Sequence, residues 1–190
     1  MTTQWSRIAR RVRVPAGFAF AVFFLLLARP TVRFLAFSLV LVLPGLLLRA
    51  YASGYVQKNE ELTMSGPYAY TRNPLYLGSM MIAFGFALGA RSLWIAAAMA
   101  VLFGAIYIPV IRSEEDYLRG RFAGFAEYAD RVPRLVPWKL PARGAASAGG
   151  RFSGALYQKH REYHALLGAV AMYAALILKL IWILKEKGAA

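Results

Sequence analysis

The chain has 190 residues, of which 59% are apolar and 17% are charged, and its formal net charge is +14 at pH 7. This composition is too apolar for an ordinary soluble domain, so we expect one membrane domain over residues 1–190. The basic residues lie at the ends of apolar runs, a pattern that favours lipid headgroups over a nucleic-acid partner. The chain has no cysteine, and its two histidines, His160 and His164, lack carboxylates at a known ligand spacing. No metal site is predicted.

The first two apolar runs predict membrane-spanning helices. Residues 14–28 are uncharged and follow four arginines, but no small-residue cleavage site comes after them. They therefore predict a retained span rather than a signal peptide. Residues 34–57 predict a second span, in which Pro44-Gly45 predicts a kink.

The next two runs predict a tight antiparallel hairpin. Residues 73–90 and 92–111 are both uncharged, and Arg91 alone separates them. Small residues at four-residue spacing allow membrane helices to approach closely, so we expect the two helices of the hairpin to pack against each other through such residues. The small residues are Gly85, Gly89, Ala100 and Gly104.

The last third of the chain predicts a surface helix, a linker and a final span. Apolar positions recur at helical spacing between residues 112 and 130, which predicts a cytoplasmic amphipathic helix at the membrane surface. Residues 141–154 are rich in Ala, Gly and Ser and predict a flexible linker, and residues 163–184 predict the last transmembrane helix. The predicted fold class is all-α, a polytopic membrane protein of about five transmembrane helices.

The distribution of positive charge predicts the orientation of this multi-pass protein. Five spans put residues 1–13, 58–72 and 112–161 on one side of the membrane. Counting Arg49, that side carries seventeen of the 23 Lys and Arg residues. By the positive-inside rule we expect it to be cytoplasmic, where a soluble nucleotide cofactor is available.

One polar stretch, residues 66–78, interrupts these apolar runs and is a candidate site. Asn73-Pro74 begins the third predicted span, which places Arg72 at a helix N-terminus that can hold an anion such as a cofactor carboxylate. The alternative is that Arg72 contacts lipid phosphate and that the nearby tyrosines form an interfacial belt. The three tyrosines that could stack on an adenine are Tyr68, Tyr70 and Tyr76.

Two adjacent acids follow the fourth predicted span. Arg112 and Arg119 lie three residues before and four residues after Glu115, a spacing that predicts weak surface ion pairs. Glu114 has no charged residue at these spacings, so we expect it to point into the helix bundle. There it requires a partner such as Arg72, Arg49 or a group of the cofactor, namely its ammonium, a hydroxyl or its sulfonium.

One part of the chain resembles the integral-membrane methyltransferases typified by isoprenylcysteine carboxyl methyltransferase, to which phospholipid N-methyltransferases are related. The residues that carry this resemblance are 62–78, Glu114, Glu115, Leu118, Phe122, Tyr128 and Val132-Pro133. The resemblance covers roughly residues 49–138. It implies a helical S-adenosylmethionine site, from which a methyl group passes to a lipophilic or lipid-attached acceptor, and it makes membrane lipids and a lipid substrate the expected partners. The cofactor-binding residues that it implies are Glu61, Leu62, Thr63, Tyr68, Arg72, Asn73, Tyr76, Glu114 and Glu115. The implied catalytic residues are Arg112, facing the acceptor, and Glu114.

Asn73 is the main departure from this family pattern. The carboxyl methyltransferases typically have histidine at this position, whereas an asparagine amide cannot titrate and cannot act as a general base. The acceptor therefore stays open among a carboxylate, an amine and a thiol. Two alternatives to methyl transfer also stay open, namely a membrane reductase of related helical core with a nicotinamide cofactor, and a non-catalytic lipid-binding protein.

Overall fold

The computed structural model describes residues 20–57, 60–141 and 150–188, and within these ranges the regular elements are all helical. The all-α prediction is therefore confirmed for this part of the chain. Residues 20–27 are helical. The elements that follow are α1 (Val32–Ser53), a 3₁₀ turn (Gly66–Ala69), α2 (Pro74–Ala90), α3 (Leu93–Arg121), α4 (Phe125–Arg131), α5 (Gly154–Lys159) and α6 (Tyr163–Gly188).

Three of the described helices, α1, α3 and α6, are long and apolar enough to cross a membrane. The helix α2 is equally apolar but has 17 residues, which is short for a span of about 20. Part of the first predicted span, residues 14–19, lies outside the described residues. A membrane protein is thus supported, while the count of five spans and the cytoplasmic side stay predictions.

Helix boundaries follow local sequence signals with two exceptions. The predicted amphipathic helix is split, because α3 continues to Arg121, residues 122–124 break the helix, and α4 starts at Phe125. The break coincides with Gly124, whose lack of a side chain makes helix costly. Part of the predicted linker, residues 142–149, lies outside the described residues, but Ser153 caps the unpredicted helix α5 by accepting a hydrogen bond from the Leu156 N–H.

The chain divides into two compact units. The first unit comprises the described residues up to Leu43, the stretch Ile82–Val110 and the chain from Leu167 onwards. The second unit comprises Pro44–Met81 and Ile111–Leu166 and contains every predicted site residue.

In the first unit, glycines of α2 pack closely against α1. A Cβ atom on Gly85 would lie 2.6 Å from Val42 Cγ2 and 3.1 Å from the Ser38 carbonyl oxygen, and one on Gly89 would lie 3.2 Å from Ser38 Oγ. A Cβ on Gly104, in contrast, would meet no atom within 4 Å. The predicted close packing therefore exists, but the predicted partner is wrong: these glycines face α1 rather than the second helix of the hairpin.

Candidate functional site

The stretch before α2 is fixed to the chain after α4. The Arg72 backbone N–H donates to the Pro133 carbonyl (2.9 Å), and the Asn73 side-chain amide donates to the Arg134 carbonyl (2.9 Å). The Thr71 hydroxyl donates to the same Arg134 oxygen (3.3 Å), and both Thr71 and Asn73 are buried. Two segments about sixty residues apart in sequence thus meet in the second unit.

A cluster around Glu115 lies at this junction. The Glu115 side chain is only 4% exposed, and its Oε2 accepts a hydrogen bond from Nε of Arg134 at 2.9 Å and forms an ion pair with Nη2 of the same residue at 2.9 Å. Its Oε1 lies 3.3 Å from the Asn73 amide nitrogen and 3.5 Å from Nε of Arg72. The Arg72 Nε is buried and has no hydrogen-bond partner among the described residues. Two guanidinium groups facing one carboxylate leave this cluster with one net positive charge.

The structure reverses the predicted roles of the two adjacent acids. Glu115 does not form surface pairs with Arg112 and Arg119, because it is buried and its partners come from outside α3. Glu114 is the exposed acid, and its Oε1 accepts a hydrogen bond from the Tyr76 hydroxyl (2.9 Å). Counting three and four residues along one helix finds only neighbours on that helix, so the prediction could not include partners from other segments.

Two buried tyrosines, Tyr68 and Tyr128, connect the 3₁₀ turn before α2 to α4. The Tyr128 hydroxyl donates to the Tyr68 carbonyl at 2.8 Å. Burial raises the pKa of the Tyr68 phenol, and the charges of Tyr128 and Glu114 raise it further. Burial also raises the pKa of Tyr128, so both phenols stay protonated at neutral pH. Of the three tyrosines predicted to stack on an adenine, Tyr68 is buried, Tyr76 is half-buried and Tyr70 is exposed.

The remaining predicted site residues lie in the same unit without a described contact to the Glu115 cluster. Glu61 is exposed and accepts a hydrogen bond from the Gln57 side-chain amide (2.9 Å). Thr63 is buried, and its hydroxyl oxygen accepts from the Gln57 N–H (3.4 Å), while Leu62 is half-buried. Arg112 is exposed, and no ion pair joins it to another described residue.

Sequence reasoning missed a second ion pair in this unit. Arg49 donates from Nε and Nη2 to both carboxylate oxygens of Glu162 at 2.7–3.1 Å, and its Nη1 donates to the Leu75 carbonyl and to Ser79 Oγ. A Cβ on Gly78 would lie 2.7 Å from Arg49 Cγ, so only glycine leaves room for this side chain. An arginine inside an apolar run signals that a partner is needed, but it does not reveal which one.

No group of three metal-ligating side chains occurs among the residues that the structure describes. His160 instead contacts backbone, with its Nδ1 atom 3.0 Å from the Ser53 carbonyl oxygen at the end of α1. This histidine therefore has a structural partner.

Comparison with known proteins identifies the same region. Residues 47–124 match the model of the phospholipid methyltransferase family. The cobalt-zinc-cadmium resistance protein CzcN of Cupriavidus metallidurans is 38% identical over 97 residues, covering 51% of this chain and 44% of that protein. The nickel-cobalt-cadmium resistance protein NccN of Alcaligenes xylosoxydans xylosoxydans is 38% identical over 87 residues, covering 46% of this chain and 40% of that protein. The matches thus span less than half the length of these relatives, and no solved structure matches the chain.

The matched range coincides with the junction between the two segments only in part. It contains Arg72, Asn73 and Glu115, but it ends before Arg134, which supplies the shortest contacts of the Glu115 carboxylate. It also contains Arg49 without its partner Glu162. The Glu115–Arg134 and Arg49–Glu162 pairs therefore join the matched range to residues beyond it, whereas the Arg72–Glu115 pair lies within it.

Proposed function

We propose that the second unit binds S-adenosylmethionine and transfers its methyl group to a lipophilic or lipid-attached acceptor at the cytoplasmic face of the membrane. The observation that carries this proposal is the junction at Glu115, where the stretch before α2 meets the end of α3 and the chain after α4. The phospholipid methyltransferase match over residues 47–124 supports it, because the match includes this stretch and α3.

The residues present fit the amino-acid end of the cofactor, which carries a carboxylate and an ammonium group. The Glu115 cluster has one net positive charge, and the buried Arg72 Nε lacks a hydrogen-bond partner among the described residues. A second carboxylate beside Arg72 would neutralise this charge, and charged hydrogen bonds to arginine contribute about 1.5–3 kcal/mol each. The exposed carboxylate of Glu114, held by the Tyr76 hydroxyl, would accept hydrogen bonds from the ammonium group or a ribose hydroxyl.

The other predicted residues are assigned supporting roles. Asn73 and Glu115 are buried and hydrogen-bonded to each other, so they would position Arg72. Tyr68 would support the site through its backbone, since its side chain is buried. We propose that the adenosine part lies against Glu61, Leu62 and Thr63.

The reaction requires little acid–base chemistry from the protein. When bound, the cofactor supplies a methyl group that its sulfonium has already activated. The protein must align the acceptor with this methyl group and exclude water. Arg112 is exposed and would bind an anionic acceptor. Asn73 cannot remove a proton, so a carboxylate or thiolate acceptor, which needs no base, suits the site better than an ammonium group.

Calorimetric titration of the purified protein tests this proposal. S-adenosylhomocysteine should bind and NADPH should not. Binding of NADPH alone would instead favour the membrane reductase, and binding of neither would favour a non-catalytic lipid-binding protein. Arg119→Ala is a matched control for Arg72→Ala, because Arg119 is exposed, lies over the Phe125 ring and forms no ion pair with Glu115 among the described contacts. A screen of lipid extracts with a labelled methyl donor would then identify the acceptor.

A further inference from the structure

A short segment after α4, residues 135–140, exposes large apolar side chains outside the candidate spans. Val136 is 52% exposed, Trp138 is 67% exposed and Leu140 is 92% exposed. The segment is not part of any described helix that could cross a membrane. A cluster of exposed apolar residues of this kind is typical of a surface that binds a protein partner or a membrane.

The sequence of this segment keeps it from folding back into a helix. Val136 precedes Pro137 and Leu140 precedes Pro141. A residue before proline is restricted to extended conformations, and proline itself cannot donate a backbone hydrogen bond. The apolar side chains therefore lie on an irregular stretch that the two prolines restrict to extended conformations. This stretch cannot bury them by folding into a helix.

The charge of the surrounding chain indicates the chemistry of the partner. Residues 131–141 contain three basic residues and no acidic residue. Arg134 is 46% exposed and Lys139 is exposed between Trp138 and Leu140. Tryptophan with neighbouring aliphatic and basic side chains is the composition of chains that lie in the interface of anionic membranes.

We propose that residues 135–140 are an interfacial anchor that inserts Val136, Trp138 and Leu140 into an anionic lipid surface, with Lys139 at the phosphate level. The anchor is directly attached to the Glu115 cluster, because the carbonyls of the two preceding residues, Pro133 and Arg134, accept hydrogen bonds from Arg72 and Asn73. The inference depends on a membrane location and holds whether or not the protein transfers methyl groups.

Site-directed fluorescence in vesicles tests the anchor. The chain has no cysteine, so Leu140→Cys creates a single labelling site, and the high exposure of Leu140 means that the change removes little packing. The labelled full chain is reconstituted into phosphatidylcholine vesicles with and without phosphatidylglycerol, each carrying a quencher on the upper acyl chain. We expect strong quenching by the lipid quencher and protection from aqueous iodide. Asp130→Cys is the matched control on an exposed polar residue of α4 and should show the opposite pattern.

The role of charge is tested by Lys139→Gln in the Leu140→Cys chain. One basic residue near an anionic surface should change the local preference for phosphatidylglycerol over phosphatidylcholine by about fivefold at low ionic strength. The variant should therefore lose about this factor and still be quenched by lipid. An unchanged preference would overturn the assignment of Lys139 to the phosphates.

A second measurement uses the native Trp138 and avoids the label. The replacements Trp5→Phe, Trp94→Phe and Trp182→Phe leave Trp138 as the sole tryptophan of the four in the chain. Its emission should be quenched by brominated lipid. Quenching of Trp138 by iodide alone would overturn the proposal. Quenching by brominated lipid that appears only when the protein is diluted in the vesicles would also overturn it, because a second copy of the chain would then cover residues 135–140 at higher protein density.

Discussion

Replacing Glu115 by glutamine should separate the stability of the site from its binding function. The change preserves the shape of the side chain and removes its charge. Arg72 and Arg134 would then face each other without the carboxylate that lies 3.5 Å and 2.9 Å from their nitrogen atoms. The matched control is Glu114→Gln, which makes the same chemical change one residue earlier on an exposed acid.

The expected loss of stability follows from the exposure of the partners. Removing one partner of a buried ion pair costs about 3–5 kcal/mol. Arg134 is 46% exposed and can regain water, whereas Arg72 is only 10% exposed and cannot, so we expect the lower end, about 3 kcal/mol. For a chain of this length that is a fall in Tm of about 6–12 °C. In Glu114→Gln the amide oxygen can still accept from the Tyr76 hydroxyl at an exposed position, so the stability should change by about 0.5 kcal/mol or less.

Thermal unfolding in detergent and calorimetric titration with S-adenosylhomocysteine form the assay. Glu114→Gln should melt like the unaltered protein and lose about tenfold or more in affinity, the value of one charged hydrogen bond. Glu115→Gln should show the loss of Tm. If Glu115→Gln melts with the unaltered protein, the buried cluster does not stabilise the fold. If neither variant loses affinity, the acidic pair is not part of the cofactor site.

Three further expectations concern the arginine, the helix packing and the buried phenol. Arg72→Lys should lower the S-adenosylhomocysteine affinity nearly as much as Arg72→Ala, by about tenfold, because lysine lacks the planar fork; an affinity like that of the unaltered protein would make Arg72 a lipid anchor. Gly85→Ala places a Cβ 2.6 Å from Val42 Cγ2 and should cost about 1–3 kcal/mol in thermal unfolding, whereas Gly104→Ala, with open space, should cost nothing; equal melting would refute the packing. The fold keeps the Tyr128 phenol protonated by raising its pKa, so this contribution to stability is complete below about pH 10 and is lost as the pH rises further. The free energy of unfolding should thus fall less steeply with rising alkaline pH in Tyr128→Phe than in the unaltered protein. Parallel curves of the two proteins would contradict the reasoning.

Local signals in the sequence predicted the helices well. Asn73-Pro74 predicted a helix over 73–90, and α2 runs from Pro74 to Ala90. The prediction was possible because proline is favoured in the first turn of a helix, a preference that depends only on neighbouring residues. The start of α6 at Tyr163 was likewise predicted from the apolar run. Such features depend on neighbours within a few residues, which a sequence displays directly.

Partners between distant segments could not be predicted in the same way. Glu115 pairs with Arg134, 19 residues later, and Arg49 pairs with Glu162, 113 residues later. The sequence shows that a charge within an apolar run needs a partner, but many cations and acids satisfy that requirement equally well. Only the packing of the segments selects among them, which is also why the partner of Gly85 was wrongly assigned to the hairpin.

The two long-range ion pairs determine how short a working fragment of this chain can be. A fragment limited to residues 47–124, the range of family similarity, would keep Arg49 and Glu115 but would lose Glu162 and Arg134. Arg49 would then lack its counter-ion, at a cost of several kcal/mol, and Glu115 would keep Arg72 as its only cationic partner. The smallest fragment that folds should therefore extend at least to Glu162, so the boundary of sequence similarity lies well inside the boundary of cooperative folding.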